Sequence, residues 1–395
     1  MRLLCVLNGG PEHPSTRFRV WQHVETLRAR GCEVDVLVAK RSEGYDLRTL
    51  RRRARRAEVI LVQKKLFAPW KLRLLPRATP LVFDFDDALF APTPEEEERL
   101  GARAAARRAG ERRRRLQATL RRARKVIAGN QYLAAQAAPF AGDVVVLPTG
   151  VDLAPFPEAT VRRAAEHRRQ RRGERLIGWI GSRPSLRYLP ALAAPLRAVC
   201  SRVRGARLVQ VCDEFIDLPG VPTEKRRWSR EREAADLMDF DVGLMPLDDR
   251  PFARGKCGLK ILQYQAAAVP VVGSPFGANR EIVGDGTTGL FAEGAAAWEE
   301  AILRLLSDAP LAWRLGEAGR ERVAADYAAD VIGARLAGEI LAAARPVPGR
   351  SRSGKTALPG QKRKGEDHPG QDQGLLVPDH LAKGPARVVP PERAR

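Results

Sequence analysis

At 395 residues the chain exceeds the ~250–300 residues over which one hydrophobic core keeps growing, so two domains are expected. Its 44% hydrophobic content is that of a globular protein, and no run approaches the ~18–20 unbroken apolar residues of a membrane-spanning helix. The 69 basic residues against 47 acidic ones leave a net charge of +22, a field that attracts phosphate-bearing partners without choosing among nucleotide, nucleic acid and anionic lipid. Five scattered cysteines (Cys5, Cys32, Cys200, Cys212 and Cys257), none in a C-x-x-C pair, argue against a disulfide framework and a structural zinc site and point to a reducing cytosol.

In chain order, the opening Met1-Arg2-Leu3-Leu4-Cys5-Val6-Leu7 reads as a first strand rather than a secretory signal, so no export is expected. Leu3–Leu7, Val34–Val38, Val59–Val62, Leu81–Phe85, Lys125–Ala128 and Val144–Leu147 are predicted strands alternating with helical stretches, the pattern of a parallel doubly wound sheet. A segment rich in Pro, Arg and Glu follows, and the pattern restarts at Leu176–Ile180, Arg207–Val211, Val242–Met245, Val269–Gly273 and Gly289–Phe291. A helical stretch from about Trp298 to Ala344 closes this second α/β unit. The domains are therefore predicted as 1–170 and 171–345. From 346 to 395, Pro, Gly, Lys, Arg and Gln dominate, the composition of a disordered tail.

The most informative segment is Pro251-Phe-Ala-Arg-Gly255-Lys256-Cys257-Gly258-Leu259-Lys260-Ile-Leu-Gln263-Tyr-Gln-Ala. A helix starting between Gly255 and Gly258 puts Leu259, Leu262 and Ala266 on one face and Lys256, Lys260 and Gln263 on another. Free N–H groups at a helix start, with two lysines beside them, suit a diphosphate, and Gln263 one turn on suits a ribose hydroxyl. For an isolated pair of lysines, solvated surface charge would be the simpler reading.

From Lys260 through Ala-Ala-Ala-Val-Pro-Val-Val-Gly-Ser-Pro-Phe-Gly-Ala-Asn279-Arg-Glu281-Ile-Val the chain resembles the donor-binding region of family-4-type retaining glycosyltransferases. Further matches occur at Gly9-Gly10, Pro14-Ser-Thr-Arg17-Phe-Arg19, Gly129-Asn-Gln-Tyr-Leu133 and Leu147-Pro-Thr-Gly-Val-Asp152, in order over most of residues 1–340. The resemblance implies a GT-B fold, two Rossmann-like doubly wound domains facing a central cleft, with 1–170 on the acceptor side and 171–345 binding a nucleotide-sugar. Many relatives mark the donor region with a Glu, seven residues and a second Glu; here those positions hold Gly255 and Gln263. A subgroup instead carries a lysine three residues before the Glu or Gln, which favours Lys260 over Lys256 as the diphosphate contact. Relatives also bind the diphosphate with a basic residue after the first strand of the second domain, which points to Arg183, and hold the donor sugar near Asn279 and Glu281.

On the acceptor side, Gly10 follows the first strand, where backbone can approach a phosphate. Arg17 and Arg19, in the first turn of the next helix, are candidates for an anionic acceptor group. Phe83-Asp84-Phe85-Asp86-Asp87 crowds three carboxylates at the carboxyl end of a strand, the edge at which open α/β sheets bind ligands. Burying three like charges is costly without partners, so Asp86 and Asp87 are expected to touch the acceptor or the transferred sugar and Asp84 to be structural. With Glu281, they are the catalytic candidates. Enzymes of this type generally work without a metal, so neither cofactor nor metal is expected.

Arg99 to Lys125 forms a strongly basic helix with sparse apolar anchors. It reads either as a solvated surface or as attachment to anionic lipid at the inner membrane surface of the cytoplasm, at ~1 kcal/mol per basic residue. No nucleic-acid-binding motif accompanies the charge, so nucleic acid is not an expected partner. The expected activity is sugar transfer from a UDP- or GDP-sugar to a glycan or lipid-linked glycan. The alternatives are a nucleotide-sugar epimerase on the same fold and a binding protein weakened in catalysis by the missing carboxylates.

Overall fold

A computed structural model describes residues 1–39, 46–171 and 173–345. The tail expected at 346–395 lies outside the described residues. Among the described residues, twelve parallel strands form two six-stranded sheets. The first has the order β2-β1-β3-β4-β5-β6, from β1 (Arg2–Leu7), β2 (Glu33–Val38), β3 (Val59–Gln63), β4 (Leu81–Phe85), β5 (Lys125–Ala128) and β6 (Val144–Val146). The second has the order β12-β11-β10-β7-β8-β9, from β7 (Arg175–Ile180), β8 (Ala206–Cys212), β9 (Thr223–Arg227), β10 (Val242–Met245), β11 (Val271–Gly273) and β12 (Leu290–Phe291).

The central strands β3 and β4 are buried along their whole length, as continuous apolar runs covered by helices on both faces must be. The exception to the sequence reading is β9, Thr-Glu-Lys-Arg-Arg, which has no apolar alternation at all. It lies at the sheet edge, paired only to β8, and ion pairs of Arg226 with Glu224, Asp236 and Asp239 take the place of a buried face.

The chain crosses between the two α/β bodies twice, side by side. Val151 N–H donates to Tyr327 O at 2.9 Å and Ala329 N–H to Val151 O at 2.9 Å. After the first crossing, the helix Glu158–Gln170 already serves the second body, where Val161 joins the core and Arg168 donates to Met238 O and Ala268 O. After the second, the helix Ala329–Ala344 returns to the first sheet, and Ile332, Leu336, Ala337, Ile340 and Ala343 pack with Leu3, Cys5 and Leu7. The terminal helix read from sequence as part of 171–345 is thus housed in the first body, because its apolar stripe completes that core.

Candidate functional site

The carboxyl ends of β4 and β5 meet the loop 251–258, which leads into the helix Leu259–Ala266. The carboxyl ends of parallel strands are the usual ligand position of open α/β sheets.

The three aspartates of β4 divide by partner. Arg19 points under the first helix (Pro14–Arg19) into the sheet, is 4% exposed, and grips Asp84 through Nε at 3.2 Å and through Nη2, while Nη1 donates to Leu147 O at 2.7 Å. Burial pushes the Asp84 carboxyl up against the pull of this guanidinium. Arg19 is therefore a buried structural cation rather than the acceptor contact expected of it: Asp84 sits inside the sheet and needs its charge balanced there.

Asp86 lies just beyond the strand. The Ser15 hydroxyl lies 2.8 and 2.6 Å from its two oxygens, Gln63 Nε2 donates to Ser15 Oγ at 2.9 Å, and Lys64 Nζ stands 3.4 Å away. Burial raises the Asp86 carboxyl, but Lys64, Arg19 and the Ser15 hydrogen bond outweigh it and hold the group below its ordinary range. Asp87 takes a direct ion pair from Lys64, and Lys256 Nζ reaches it at 3.7 Å from the second body. Sequence reasoning did not single out Ser15, Gln63 or Lys64; a serine in a first helical turn looks like ordinary capping, and polar residues at a strand end like ordinary loop entry.

Several contacts bring the loop 251–258 onto this edge. Asn130 caps the helix Gln131–Ala137 through Oδ1, which accepts from Leu133 N–H at 2.8 Å, and its Nδ2 donates to Arg254 O at 3.2 Å and Lys256 O at 3.0 Å. The Cys257 thiol donates to Asp86 O at 3.3 Å, and burial raises its pKa well above the ordinary thiol value. Gly255 stands so close to Ala88 that a Cβ would lie 2.5 Å from Ala88 N and 2.6 Å from Ala88 Cβ. With the two bodies in this arrangement, the position where relatives carry their first carboxylate has no room for any side chain.

On the second body, Gly258 takes φ +65°, a conformation that favours glycine, and starts the helix Leu259–Ala266. Lys260 lies under the Gly181 turn, with Nζ 4.8 Å from the centroid of the buried Trp179 ring. A Cβ at Gly181 would meet Lys260 Cε at 2.8 Å, so the glycine leaves the lysine its place. Burial, then the nearby Lys256, lower the Lys260 ammonium to about 7. Gln263 is buried one turn further on.

The remaining candidates stand apart from this cluster or serve its walls. Asn279 is buried and donates to Ser274 O at 2.9 Å and Met245 O at 3.4 Å, tying the ends of β10 and β11 together. Glu281 Oε1 accepts from Gln131 N–H at 3.0 Å, capping a helix of the other body, and burial raises its carboxyl. Arg17 pairs with Glu233 at 3.3 Å, whose other oxygen accepts from Trp228 Nε1, a further bridge between the bodies. Arg183 is 74% exposed beside Glu214. Gly10 is open, with nothing within 4 Å of a Cβ there. Among the described residues, no group of three or more His, Cys, Asp or Glu side chains is placed to hold a metal ion.

The basic helix, Ala102–Arg122, divides similarly. Arg112 is bound to Glu96, Leu89 O and Ala91 O, and Arg122 to Pro76 O and Thr79 O, whereas Arg103, Arg107, Arg113, Arg114 and Arg121 are exposed. The short helix Pro69–Leu72 packs nearby and presents Trp70, 56% exposed, with Lys71 over its ring. Among the described residues, no helix is long and apolar enough to cross a membrane.

Residues 226–308 match the family model described as glycosyl transferases group 1. The chain is 30% identical over 218 residues to the GDP-mannose-dependent alpha-(1-6)-phosphatidylinositol monomannoside mannosyltransferase of Mycobacterium tuberculosis, a match covering 50% of this chain and 55% of the relative. It spans about half the length of the curated relatives it matches. The fold is GT-B. It superposes on sucrose-phosphate synthase from Thermosynechococcus elongatus with a TM-score of 0.62 at 18% identity, covering 86% of this chain and 98% of the other. It superposes on Anabaena HepE, crystallised with UDP, with a TM-score of 0.60 at 15% identity, covering 87% and 100%.

Proposed function

We propose that this chain, which belongs to the family-4-type glycosyltransferases of the GT-B fold, moves a hexosyl group from a UDP- or GDP-sugar to a hydroxyl of a glycan or lipid-linked glycan. The observation that carries the reading is the opposition of Lys256, just ahead of the helix that carries Lys260, to Asp87 beside Asp86 on the other body. Cations on one wall suit a departing diphosphate, and ionised carboxylates on the other accept hydrogen bonds from sugar hydroxyls.

In this reading Lys260, Lys256 and the N–H groups after Gly258 take the diphosphate and stabilise the charge that grows on it as the glycosidic bond breaks. No metal is required for that role. Gln263 takes the ribose, a neutral amide standing where many relatives have a carboxylate. Asp86 and Asp87 orient the incoming hydroxyl, and a phosphate oxygen of the donor removes its proton, giving retention of configuration. The GDP-mannose dependence of the mycobacterial relative favours GDP-mannose among the donors to try first.

The exposed arginines of Ala102–Arg122 and the neighbouring Trp70 support a peripheral site on an anionic membrane surface, where lipid-linked acceptors are found. Calorimetric titration with a panel of nucleoside diphosphates, followed by turnover with matching sugar nucleotides, tests the function. Failure to bind any of them overturns the transferase reading. Isomerisation of donor in the absence of acceptor would replace it with an epimerase.

A further inference from the structure

Resting on that reading, we propose that Lys64 is the positioning residue of the acceptor wall: it ties Asp86 and Asp87 into one acceptor pair that receives the hydroxyls of a polyhydroxylated acceptor such as a sugar or cyclitol.

The first observation is the backbone. Lys64 has φ +58°, and it and Ala268 are the non-glycine residues with positive φ among those described. A long side chain in this conformation is strained and persists only where its surroundings impose it. Here Lys64 N–H donates to Asp84 O at 2.7 Å, pinning the end of β3 to β4 where the latter leaves the sheet.

The second is what the strained turn accomplishes. Consecutive residues of a strand point to opposite faces. Gln63 and Lys64 nevertheless converge on one carboxylate, Gln63 through the Ser15 hydroxyl and Lys64 directly at 3.4 Å. The left-handed turn at Lys64 redirects its ammonium to the same side, where it also binds Asp87. A glycine would make the turn without strain but could not supply the charge.

The third is electrostatic. Asp86 and Asp87 are adjacent like charges with Asp84 below, and such a cluster is stable only with cations held against it. The groups that face Asp86 are His13 just before the first helix, Ser15 and Arg19 on it, Lys64 just after β3, Asp84 and Asp87 from its own strand end, and Cys257 from the opposing loop. Arg19 is committed to Asp84. Lys256 reaches Asp87 only from the opposite wall, where a diphosphate would compete for it. Lys64 is the cation of the acceptor wall itself. Burial would lower its ammonium, but Asp86 and Asp87 overcome that and raise it.

The test uses the full chain with Lys64→Gly, which suits the backbone and removes the charge, and Lys64→Arg, which keeps it. Carbon-13 NMR of aspartate-labelled protein, with the Asp86 signal assigned by Asp86→Asn, reads the carboxyl titration without any need for turnover. Lys64→Gly is expected to raise the proton affinity of Asp86 about tenfold or more and Lys64→Arg to restore most of the difference. In turnover, Lys64→Gly should lower kcat/KM for the acceptor by about tenfold or more and move its acid limb to higher pH, with nucleoside diphosphate affinity within about twofold of the parent. An unchanged Asp86 titration, unchanged acceptor kinetics, or equal loss of nucleotide affinity would overturn the assignment. If the parent protein binds no nucleoside diphosphate, the transferase reading fails by itself, and the Asp86 titration still decides whether Lys64 controls the pair.

Discussion

Arg19 and Asp84, 65 residues apart in sequence, form a closed ion pair beneath the floor of the cleft, with both Nε and Nη2 of the guanidinium on the one carboxylate. Both side chains are only 2% exposed, so neither can be solvated if the other is lost. Arg19→Met is expected to cost about 3–5 kcal/mol by leaving an uncompensated buried charge, measured by chemical denaturation. The double variant Arg19→Met/Asp84→Leu should recover most of that loss. If it does not, the lost bond to Leu147 O, rather than the pair, holds the element in place.

If Lys260 takes the diphosphate as proposed, its ammonium, lowered to about 7 by burial and then Lys256, makes that binding a proton-linked event. Above pH 7 the free site holds a largely neutral lysine, and an arriving phosphate favours the charged form. Binding is then accompanied by proton uptake, and affinity falls as the pH rises past about 7. Calorimetry at about pH 8 in buffers of different ionisation enthalpy reads that proton. Lys260→Met should abolish the uptake and weaken binding about 10- to 100-fold.

Folding stability carries the same signature. A lysine whose folded pKa lies below its unfolded value binds fewer protons when folded, so its contribution rises with pH from about 7 toward the ordinary lysine value of 10.5 and is lost as pH falls back through 7. Comparing the denaturation free energy of the parent and Lys260→Met from pH 6 to 10 isolates this slope.

Restoring the carboxylate found in many relatives at position 255 is expected to harm rather than help. The Cβ of any residue there meets Ala88 N at 2.5 Å. Gly255→Ala and Gly255→Glu should both disfavour the present packing of the two bodies by about 1–3 kcal/mol, the usual range for overpacking, and lower turnover together. A gain of activity in Gly255→Glu would contradict the geometry. Small-angle scattering distinguishes an opened cleft from local unfolding.

Much of the fold was legible. Each strand predicted from an apolar run has its counterpart, because parallel strands buried on both faces need continuous apolar sequence. The edge strand β9 escaped notice, since Thr223–Arg227 carries charge instead of a hydrophobic pattern and pairs on one side only. The terminal helix was visible as a helix, but nothing in its stripe of Ile332, Leu336 and Ile340 says which of two apolar sheets it will cover.

The candidate site was legible as composition but not as pairing. Glycines at turns, lysines beside a helix start and aspartates after a strand are local features, governed by backbone sterics and periodicity over a few residues, and sequence alone determined them. Which charge neutralises which was decided only by the tertiary structure. Arg19 went to Asp84 and not to the cleft, Cys257 met the Asp86 carbonyl across 171 residues of chain, and Lys64 turned onto the aspartates through a backbone conformation that no composition announces. The reason is physical. Ion pairing in a buried cleft depends on distances and desolvation that exist only once two sheets have been brought edge to edge.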